Sequence, residues 1–303
     1  MTLIQTHSIL DFLGSEIISD YNTARVVVLP IPYEKTTTYR KGCSNGPTAL
    51  LEASHQLECY DDELGQEITA QVGIYTHRVI ADTRQDPSIT PEQMLQTTQQ
   101  TVASLIGDHK FVIAIGGEHS ITSGVVAAYA QTQLSPFTVV QIDAHTDLRH
   151  EFEGSIYNHA CAMRRIHDQG IPIVHIGIRS LCQEEADLIQ QHQLPVIWAR
   201  DIATDPNWIE SVMSAISTEK VFLTIDLDGL DPSLMPGVGT PEPGGLNWYS
   251  LTALLKRLFV THDVIGCDVM ELAPVTDSVV SEYTAAKLTY KLIGYQALFS
   301  SLD

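Results

Sequence analysis

Hydrophobic and polar positions along this chain follow two alternating patterns. Short runs rich in Val, Ile and Leu, such as Lys110–Gly116, are typical of strands buried on both faces. Amphipathic stretches lie between them; Pro91–Ile106, for example, opens with Pro-Glu-Gln, a common helix start. The predicted strands are Arg25–Pro32, Gln71–Tyr75, Lys110–Gly116, Phe137–Asp143, Pro172–Ile178, Leu194–Ala199, Val221–Asp226 and Val264–Val269. The predicted helices are Gly46–Tyr60, Pro91–Ile106, Ser120–Ala130, Asn158–Asp168, Glu184–Gln191, Asn207–Ile216, Trp248–Phe259 and Glu282–Phe299.

Alternation of strands and helices over the whole length predicts an α/β fold. We expect a three-layer α/β/α arrangement around a mainly parallel sheet of about eight strands. No linker, repeat or low-complexity segment divides the sequence, so we predict a single domain over residues 1–303. No apolar run is long enough to span a bilayer, and the N-terminus shows no pattern of a secretory leader.

Composition narrows the classes of partner. Lys and Arg total 17 against 37 Asp and Glu, which gives a net charge of −20 and argues against nucleic acids and anionic membranes as partners. The five cysteines are scattered without a CxxC pair, which fits a reducing cytoplasm. The negative charge is compatible with binding of metal cations and cationic substrates, but it does not establish either.

Acids and histidines follow four of the predicted strands. Because ligands bind outside the carboxyl ends of strands in open parallel sheets, these segments are candidates for one shared pocket. They are Gly117–Ser120, Asp143–Asp147, Asp226–Pro232 and Met270–Leu272. If the four strands are neighbours in the sheet, we expect their ends to converge.

The first three segments supply six side chains that commonly bind metals. They are His119, Asp143, His145, Asp147, Asp226 and Asp228. Alternate residues of an extended segment point the same way, so the acids and imidazoles of each segment share a direction. Any one Asp could be a turn residue, but four carboxylates together repel strongly unless cations neutralise them. Oxygen-rich ligation suits Mn²⁺ or Mg²⁺, and two such ions about 3.5–4 Å apart could activate water.

Three of these segments carry a family resemblance. GGEHS (116–120), DAHTD (143–147) and DLDGLDP (226–232) resemble the signature motifs of the ureohydrolases, the arginase and agmatinase family. Further similar segments, in the same order along nearly the whole chain, are Pro32–Glu34, Gly46–Pro47, Gly239–Gly245 and Met270–Pro274. The resemblance implies hydrolysis of a guanidinium group with release of urea, and two Mn²⁺ per chain.

The resemblance also implies a role for each site residue. One manganese would be held by His119, Asp143, Asp147 and Asp226. The other would be held by Asp143, His145, Asp226 and Asp228, so that Asp143 and Asp226 bridge the pair. Asp147 counts among the catalytic residues of this assignment.

Three residues outside the ligand set are implied to act on the substrate. Glu271 would pair with the guanidinium, as a planar cation can do with a carboxylate. His159 would carry a proton to the leaving amine, for which its ordinary pKa is suitable, although a purely structural place at a helix start is the alternative. Thr240 would help to shape the pocket.

One motif residue departs from the commoner form. The family usually has Asp where this chain has Glu118. Because this position is not a ligand in the assignment above, we expect a local adjustment around the centre and retained metal binding.

The loop at residues 148–160 should face the tail of the substrate. It lacks the Ser-Gly-Asn segment of arginases and resembles the agmatinase version. Agmatine has two positive charges and no carboxylate, so an acidic loop suits it, and we predict cleavage of agmatine to putrescine and urea. Arginine, guanidinobutyrate and guanidine stay open as substrates, because a few loop contacts decide specificity.

Two other readings of the sequence remain. The related deacetylases share the general fold but use a single zinc, which needs neither the His119 motif nor the full Asp143–Asp147 triplet. A non-catalytic metal-binding homologue should lose ligands, and none is missing here. By resemblance alone we expect a homotrimer or a homohexamer.

Overall fold

A computed structural model describes residues 10–14, 17, 19–69, 71–133 and 135–299. Its strands are β1 (Val26–Ile31), β2 (Tyr60–Asp61), β3 (Gln66–Glu67), β4 (Ile74–Thr76), β5 (Phe111–Gly116), β6 (Phe137–Ile142), β7 (Ile173–Ile178), β8 (Val196–Trp198), β9 (Lys220–Asp226) and β10 (Asp263–Met270). Its helices are α1 (Gly46–Ser54), α2 (Pro91–Gly107), α3 (Ile121–Thr132), α4 (Ala162–His167), α5 (Gln183–His192), α6 (Ala199–Ile202), α7 (Trp208–Ala215), α8 (Trp248–Thr261) and α9 (Val280–Phe299).

The main sheet has, within the described ranges, eight strands in the order β4-β1-β5-β10-β9-β6-β7-β8. Every pairing in it is parallel. The last two strands of the chain, β9 and β10, lie between β5 and β6. The four strands whose ends carry the candidate site residues are therefore side by side at the centre of the sheet.

The six inner strands of the main sheet bury both of their faces almost completely, and this creates three layers. In β1, Val26 and Val28 join one hydrophobic cluster while Val27 and Leu29 join the other. Helices α1, α7, α8 and α9 contribute to the first cluster, and α2, α3 and α4 contribute to the second. Full burial of one such side chain contributes about 1.5–3 kcal/mol, so strands with continuous apolar sequence are stable only when both faces are covered. The predicted α/β/α arrangement is confirmed.

Two predicted helices begin or end elsewhere. The helix predicted over Gly46–Tyr60 ends at Ser54, because Tyr60 belongs to a small antiparallel hairpin of β2 and β3. The helix predicted over Asn158–Asp168 starts with a 3-10 turn, His159–Cys161, which the Asn158 side chain caps by accepting from the Ala160 amide at 3.0 Å. The remaining predicted helices agree with the structure to within two residues at each end.

Some expectations concern parts of the chain that this structure does not describe. Residues 1–9, where a secretory leader would begin, lie outside the described residues, and the single domain over residues 1–303 stays a prediction. Among the helices of the described part, none has both the length and the apolar character needed to cross a membrane.

The β2–β3 hairpin is tied to α9 by a buried ion pair. Lys291 Nζ lies 2.9 Å from Asp61 Oδ1 and also contacts Glu63, and both Lys291 and Asp61 are almost fully buried. Lys256 contacts the same Glu63 at 3.2 Å, but its side chain is 38% exposed. The two lysines thus share an acidic partner and differ in burial.

Replacement of Lys291 by Met should lower the free energy of unfolding by about 3–5 kcal/mol, because Asp61 would stay buried without a cation. Lys256→Met, the matched control, should cost no more than about 1 kcal/mol, since exposed pairs contribute little. Urea unfolding at one fixed protein concentration measures both. Similar losses for the two variants would contradict a special role of the buried pair.

Candidate metal centre and active site

All six predicted ligands meet at the carboxyl ends of the central strands. His119 follows β5, Asp143 to Asp147 follow β6, and Asp226 and Asp228 lie at the end of β9. Five of the six side chains are almost completely buried, and His145 is the partly exposed one. The structure therefore brings together every residue that the spacing placed in the cluster; which atoms bind a metal stays a prediction.

His119 lies at one side of the cluster and faces three carboxylates. Its Nδ1 is 3.1 Å from Asp143 Oδ2, 2.9 Å from Asp147 Oδ2 and 3.3 Å from Asp226 Oδ2. The other ring nitrogen, Nε2, lies 2.9 Å from Thr224 Oγ1. If Nε2 carries the hydrogen and donates it to this hydroxyl, Nδ1 has a free lone pair. Nδ1 is buried and has no well-aligned hydrogen-bond partner among the described residues, which fits an atom that binds a cation.

His145 forms a second group with two of the acids. Its Nδ1 is 3.0 Å from Asp228 Oδ2 and 3.7 Å from Asp143 Oδ1. In this group, and in the group of His119, Asp143 and Asp147, one ligand atom per residue lies within 4.8 Å of the others. Asp143 belongs to both groups, so the geometry suits two adjacent cations that share this carboxylate.

Backbone amides orient three of the carboxylates. Asp143 Oδ1 accepts from the His145 amide at 2.6 Å, Asp226 Oδ1 from the Asp228 amide at 2.9 Å, and Asp228 Oδ1 from the Ala144 amide at 3.0 Å. In each case the second oxygen, Oδ2, faces a ring nitrogen of the cluster. The local turns after β6 and β9 thus hold each acid by one oxygen and direct the other towards the centre.

Two acids of the site have left-handed backbone conformations. Asp147 has φ of 52° and Glu271 has φ of 67°. Such conformations cost about 1–3 kcal/mol for residues with a Cβ and persist where the surroundings impose them. Glu271 directly follows β10, and Asp147 lies in the segment after β6. In these conformations the Asp147 carboxylate lies 2.9 Å from His119 Nδ1, and the Glu271 carboxylate accepts from the His119 amide at 2.7 Å.

The electrostatics of the cluster favour positive charge. Burial, together with repulsion from Asp226, Asp228 and Asp147, raises the pKa of Asp143 well above its ordinary value. Burial and the Asp228 charge also raise the pKa of Asp226 to about 7. Asp228 differs, because attraction to His145 outweighs burial and holds its pKa well below the usual range. Without cations the cluster resists full ionisation, and divalent cations would remove this repulsion.

The residues predicted to act on the substrate border the cluster. Glu271 Oε1 accepts from the His119 amide at 2.7 Å and lies 3.9 Å from His159 Nδ1. Burial lowers the pKa of His159, and its Nε2 is buried with no hydrogen-bond partner in the described part of the chain. Thr240 Oγ1 donates to Asp228 Oδ2 at 3.2 Å. Thr240 therefore contacts a predicted ligand as well as the pocket.

A cavity of about 240 Å³ opens onto these groups. It is lined by Thr38, His145, Asp147, Arg149, Phe152, His159, Ala160, Ser180, Leu181, Glu185, Asp226, Asp228, Thr240 and Glu271. Carboxylates outnumber cations in this lining, and the one Arg is stacked over the Phe152 ring at 4.4 Å. The cavity is therefore suited to a small cationic molecule.

Several supporting residues were not singled out from the sequence. Gln141 donates from Nε2 to Asp143 Oδ2 at 2.7 Å, and its Oε1 accepts from His175. Thr224 contacts His119 as described above. Gln141 and Thr224 each lie two positions before a predicted ligand in an otherwise apolar strand, so the period-two rule could have indicated both.

The residue that departs from the commoner motif, Glu118, points away from the metal ligands. Its carboxylate accepts hydrogen bonds from the loop after β1, including the Lys35 and Thr36 amides at 2.5 and 2.6 Å. Glu118 thus contacts this loop, and retained metal binding beside it stays a prediction.

Comparison with known proteins gives one consistent family. Residues 24–294 match the model of the Arginase family. An N(1)-aminopropylagmatine ureohydrolase of Synechocystis sp. is 57% identical over 284 residues, which are 94% of this chain and 93% of that protein. An enzyme of the same name from Thermus thermophilus is 35% identical and covers 92% of each chain. The solved structure of an agmatine ureohydrolase of Thermoplasma volcanium has a TM-score of 0.82 at 30% identity, covering 96% of this chain and 95% of that one.

Manganese binding should release protons and should become tighter as the pH rises from 6 to 8. In the metal-free protein, attraction to Asp228 outweighs burial and raises the pKa of His145 to about 11, while that of Asp226 is about 7. Near neutral pH the cluster thus holds protons that a cation must displace. Titration calorimetry in two buffers of different ionisation enthalpy measures the release.

The raised pKa values of His145 and Asp226 also determine whether the free energy of unfolding of the metal-free protein rises or falls with pH. A native state that binds protons more tightly than the unfolded chain loses stability as the pH rises through the folded pKa. Melting of the metal-free protein should therefore occur at lower temperature at pH 8 than at pH 6, and Mn²⁺ should reverse the loss. Metal binding without proton release would show that the ligands are already deprotonated in the free protein.

Proposed function

The chain belongs to the arginase family, and we propose that it is a binuclear manganese hydrolase which cleaves a guanidinium group and releases urea. The observation that carries the proposal is the buried cluster of His119, Asp143, His145, Asp147, Asp226 and Asp228 next to Glu271. A single-zinc deacetylase would not need this full set. A non-catalytic homologue would not need, at the same cavity, a buried His159 whose Nε2 lacks a hydrogen-bond partner among the described residues and a Glu271 whose carboxylate is fixed by the His119 amide.

The cluster would hold two Mn²⁺ ions, with Asp143 and Asp226 shared between them. Oxygen-rich ligation by carboxylates with two imidazoles and no thiolate favours manganese over zinc. When bound, the two ions lower the pKa of water and so supply a nucleophile at neutral pH. The four carboxylates balance the charge of two divalent cations.

Glu271 would orient the guanidinium. Its carboxylate is fixed by the His119 amide at 2.7 Å, so a planar cation can approach it in one defined direction. Burial and the nearby Asp226 raise the pKa of Glu271 well above its ordinary value in the protein alone. A bound guanidinium would favour the charged carboxylate again, so this acid is suited to recognise a cation.

His159 would move the proton that the leaving amine needs. Burial lowers its pKa, so the ring is neutral at pH 7, and the buried Nε2 has no other partner among the described residues. A neutral imidazole at the cavity wall can take up a proton and pass it to the amine as the carbon–nitrogen bond breaks.

We propose N(1)-aminopropylagmatine as the substrate. The support is the 57% identity to the Synechocystis sp. enzyme of that name over nearly the whole of both chains. This substrate is agmatine with an added aminopropyl group, so it carries a further positive charge, and cleavage gives urea and a triamine. The acidic lining of the cavity and the net charge of −20 favour a cation of this kind.

Agmatine, the substrate predicted from the sequence, is the second candidate. The resemblance of residues 148–160 to agmatinases favours it, and so does the similarity to the Thermoplasma volcanium agmatine ureohydrolase. Since both substrates present the same guanidinobutyl end, the contacts with the tail decide between them. A cytoplasmic homotrimer or homohexamer stays the expectation for the assembly.

The manganese-loaded protein should release urea from N(1)-aminopropylagmatine with a kcat/KM at least about tenfold above that for agmatine, which corresponds to one added ammonium contact of roughly 1.4 kcal/mol. Arginine, guanidinobutyrate and guanidine serve as controls in the same assay. A higher kcat/KM for agmatine would instead support the prediction made from residues 148–160. If the protein turned over none of the five compounds, this result would contradict the proposed reaction.

Glu271→Gln should lower kcat/KM by about 100-fold or more, because the amide keeps the shape and loses the charge that pairs with the guanidinium. Manganese content, measured by metal analysis, should be unchanged, since Glu271 is outside the predicted ligand set. An equal loss of metal and activity would instead place Glu271 among the ligands. Asp226→Asn, which removes a bridging ligand, is the contrasting variant and should lose metal.

A further inference from the structure

The loop of residues 34–42, which follows β1, closes one side of the cavity. Thr38 of this loop lines the cavity. The loop is held at one end by Glu34, whose carboxylate accepts from the Gly42 amide at 2.8 Å. At the other end the Arg40 guanidinium donates to the carbonyl oxygens of Pro236 at 3.2 Å and Pro274 at 2.8 Å. These contacts fix the two ends of the loop, and Thr37 in its middle also donates to Glu34 Oε1 at 3.1 Å.

The middle of the 34–42 loop is held by the buried Glu118. Oε2 of Glu118 accepts from the amides of Lys35 and Thr36 at 2.5 and 2.6 Å. Oε1 accepts from the hydroxyls of Thr36 and Ser120 at 2.7 and 2.6 Å. Four donors thus surround a carboxylate that has no exposed surface, and such a fully satisfied group holds its partners firmly.

These bonds fix the direction of the Thr36 hydroxyl. Because its hydrogen points to Glu118, its oxygen lone pairs are left to accept, and the His159 amide donates to this oxygen at 2.9 Å. Asn158 Nδ2 also contacts the Thr36 carbonyl oxygen at 3.4 Å. His159 begins a short 3-10 turn after a long loop, so a tether to its backbone limits where its ring can lie.

We propose that Thr36 is a positioning residue for His159, and that Glu118 orients the Thr36 hydroxyl for this task. The inference rests on the proposed function, in which His159 passes a proton to the leaving amine. An error of about 1 Å in the position of such a group can cost 100-fold in rate. Through Thr36, Glu118 therefore connects the segment of the predicted ligand His119 to the segment of His159.

The test compares Thr36→Val with Thr36→Ser. Valine keeps the shape but removes both the acceptor of the His159 amide and the donor to Glu118, whereas serine keeps the hydroxyl. Thr36→Val should lower kcat about tenfold or more with little change in KM or manganese content, and with a modest fall in melting temperature because two buried partners lose a hydrogen bond. Thr36→Ser should retain most of the activity. Glu118→Gln, whose carbonyl oxygen can still accept from the Lys35 and Thr36 amides but whose NH2 takes the place of the oxygen that accepts from the Thr36 hydroxyl, should resemble Thr36→Val in kcat.

Two readouts separate positioning from a general structural role. In a His159→Ala background, Thr36→Val should cause no further loss of kcat, since the residue being positioned is gone. Hydrogen exchange of the peptide containing His159 should be faster in Thr36→Val and normal in Thr36→Ser. An additional loss of kcat in the His159→Ala background, or unchanged exchange in Thr36→Val, would overturn the proposal.

Failure of the proposed function would look different. If the wild-type protein turned over no guanidinium compound, the kinetic comparison would have no signal, and the reaction itself would be rejected. The exchange measurement would still report whether the Thr36 hydroxyl holds the His159 amide, because it depends only on the folded protein. Normal exchange in Glu118→Gln together with normal kcat would remove Glu118 from the proposal.

Discussion

Repulsion among four buried carboxylates is the constraint on which the rest of this structure depends. Asp143 and Asp226 resist ionisation in the protein alone, and their pKa values are raised for this reason. Three backbone amides, the Gln141 side chain and two residues in left-handed conformations nevertheless hold the acids together. Compensating positive charge would stabilise such an arrangement, so the proposed cations and the contacts that hold the acids would act on the same electrostatic balance.

The strand order makes this concentration of charge attainable. Each parallel strand ends at the same edge of the sheet, and insertion of β9 and β10 between β5 and β6 brings four site-bearing ends together. The apolar layers on both faces keep the strands rigid beneath the site. Positions at strand ends are held by the whole sheet, and the turns that follow need only a few backbone amides to orient the carboxylates.

The sequence was most informative where one physical rule dominates. Short β-rich apolar runs predicted all eight strands of the main sheet, and several of them are continuous Val, Ile and Leu, as strands buried on both faces tend to be. Period-two spacing placed Asp143, His145 and Asp147 on one side. The hairpin at Tyr60 was missed because Lys291, far away in sequence, fixes Asp61 there. The role of Glu118 was missed for the same reason: its partners Lys35 and Thr36 are more than 80 residues away.

The same distinction explains why the cluster of site residues was easier to predict from spacing than the substrate, while the reaction came from the family resemblance. The groups that would meet the guanidinium lie on strand ends, where sequence spacing determines direction. The groups that would meet the tail lie on loops whose shape depends on distant contacts; Glu185, for example, holds the Leu148 amide at 2.9 Å from the start of α5. Arg149 stacks on Phe152 within the same loop and so keeps a positive charge near the cavity. In the proposed function, both substrates would present the same guanidinobutyl end to the cluster of acids and histidines, so the side chains of this loop would have to distinguish agmatine from its aminopropyl derivative.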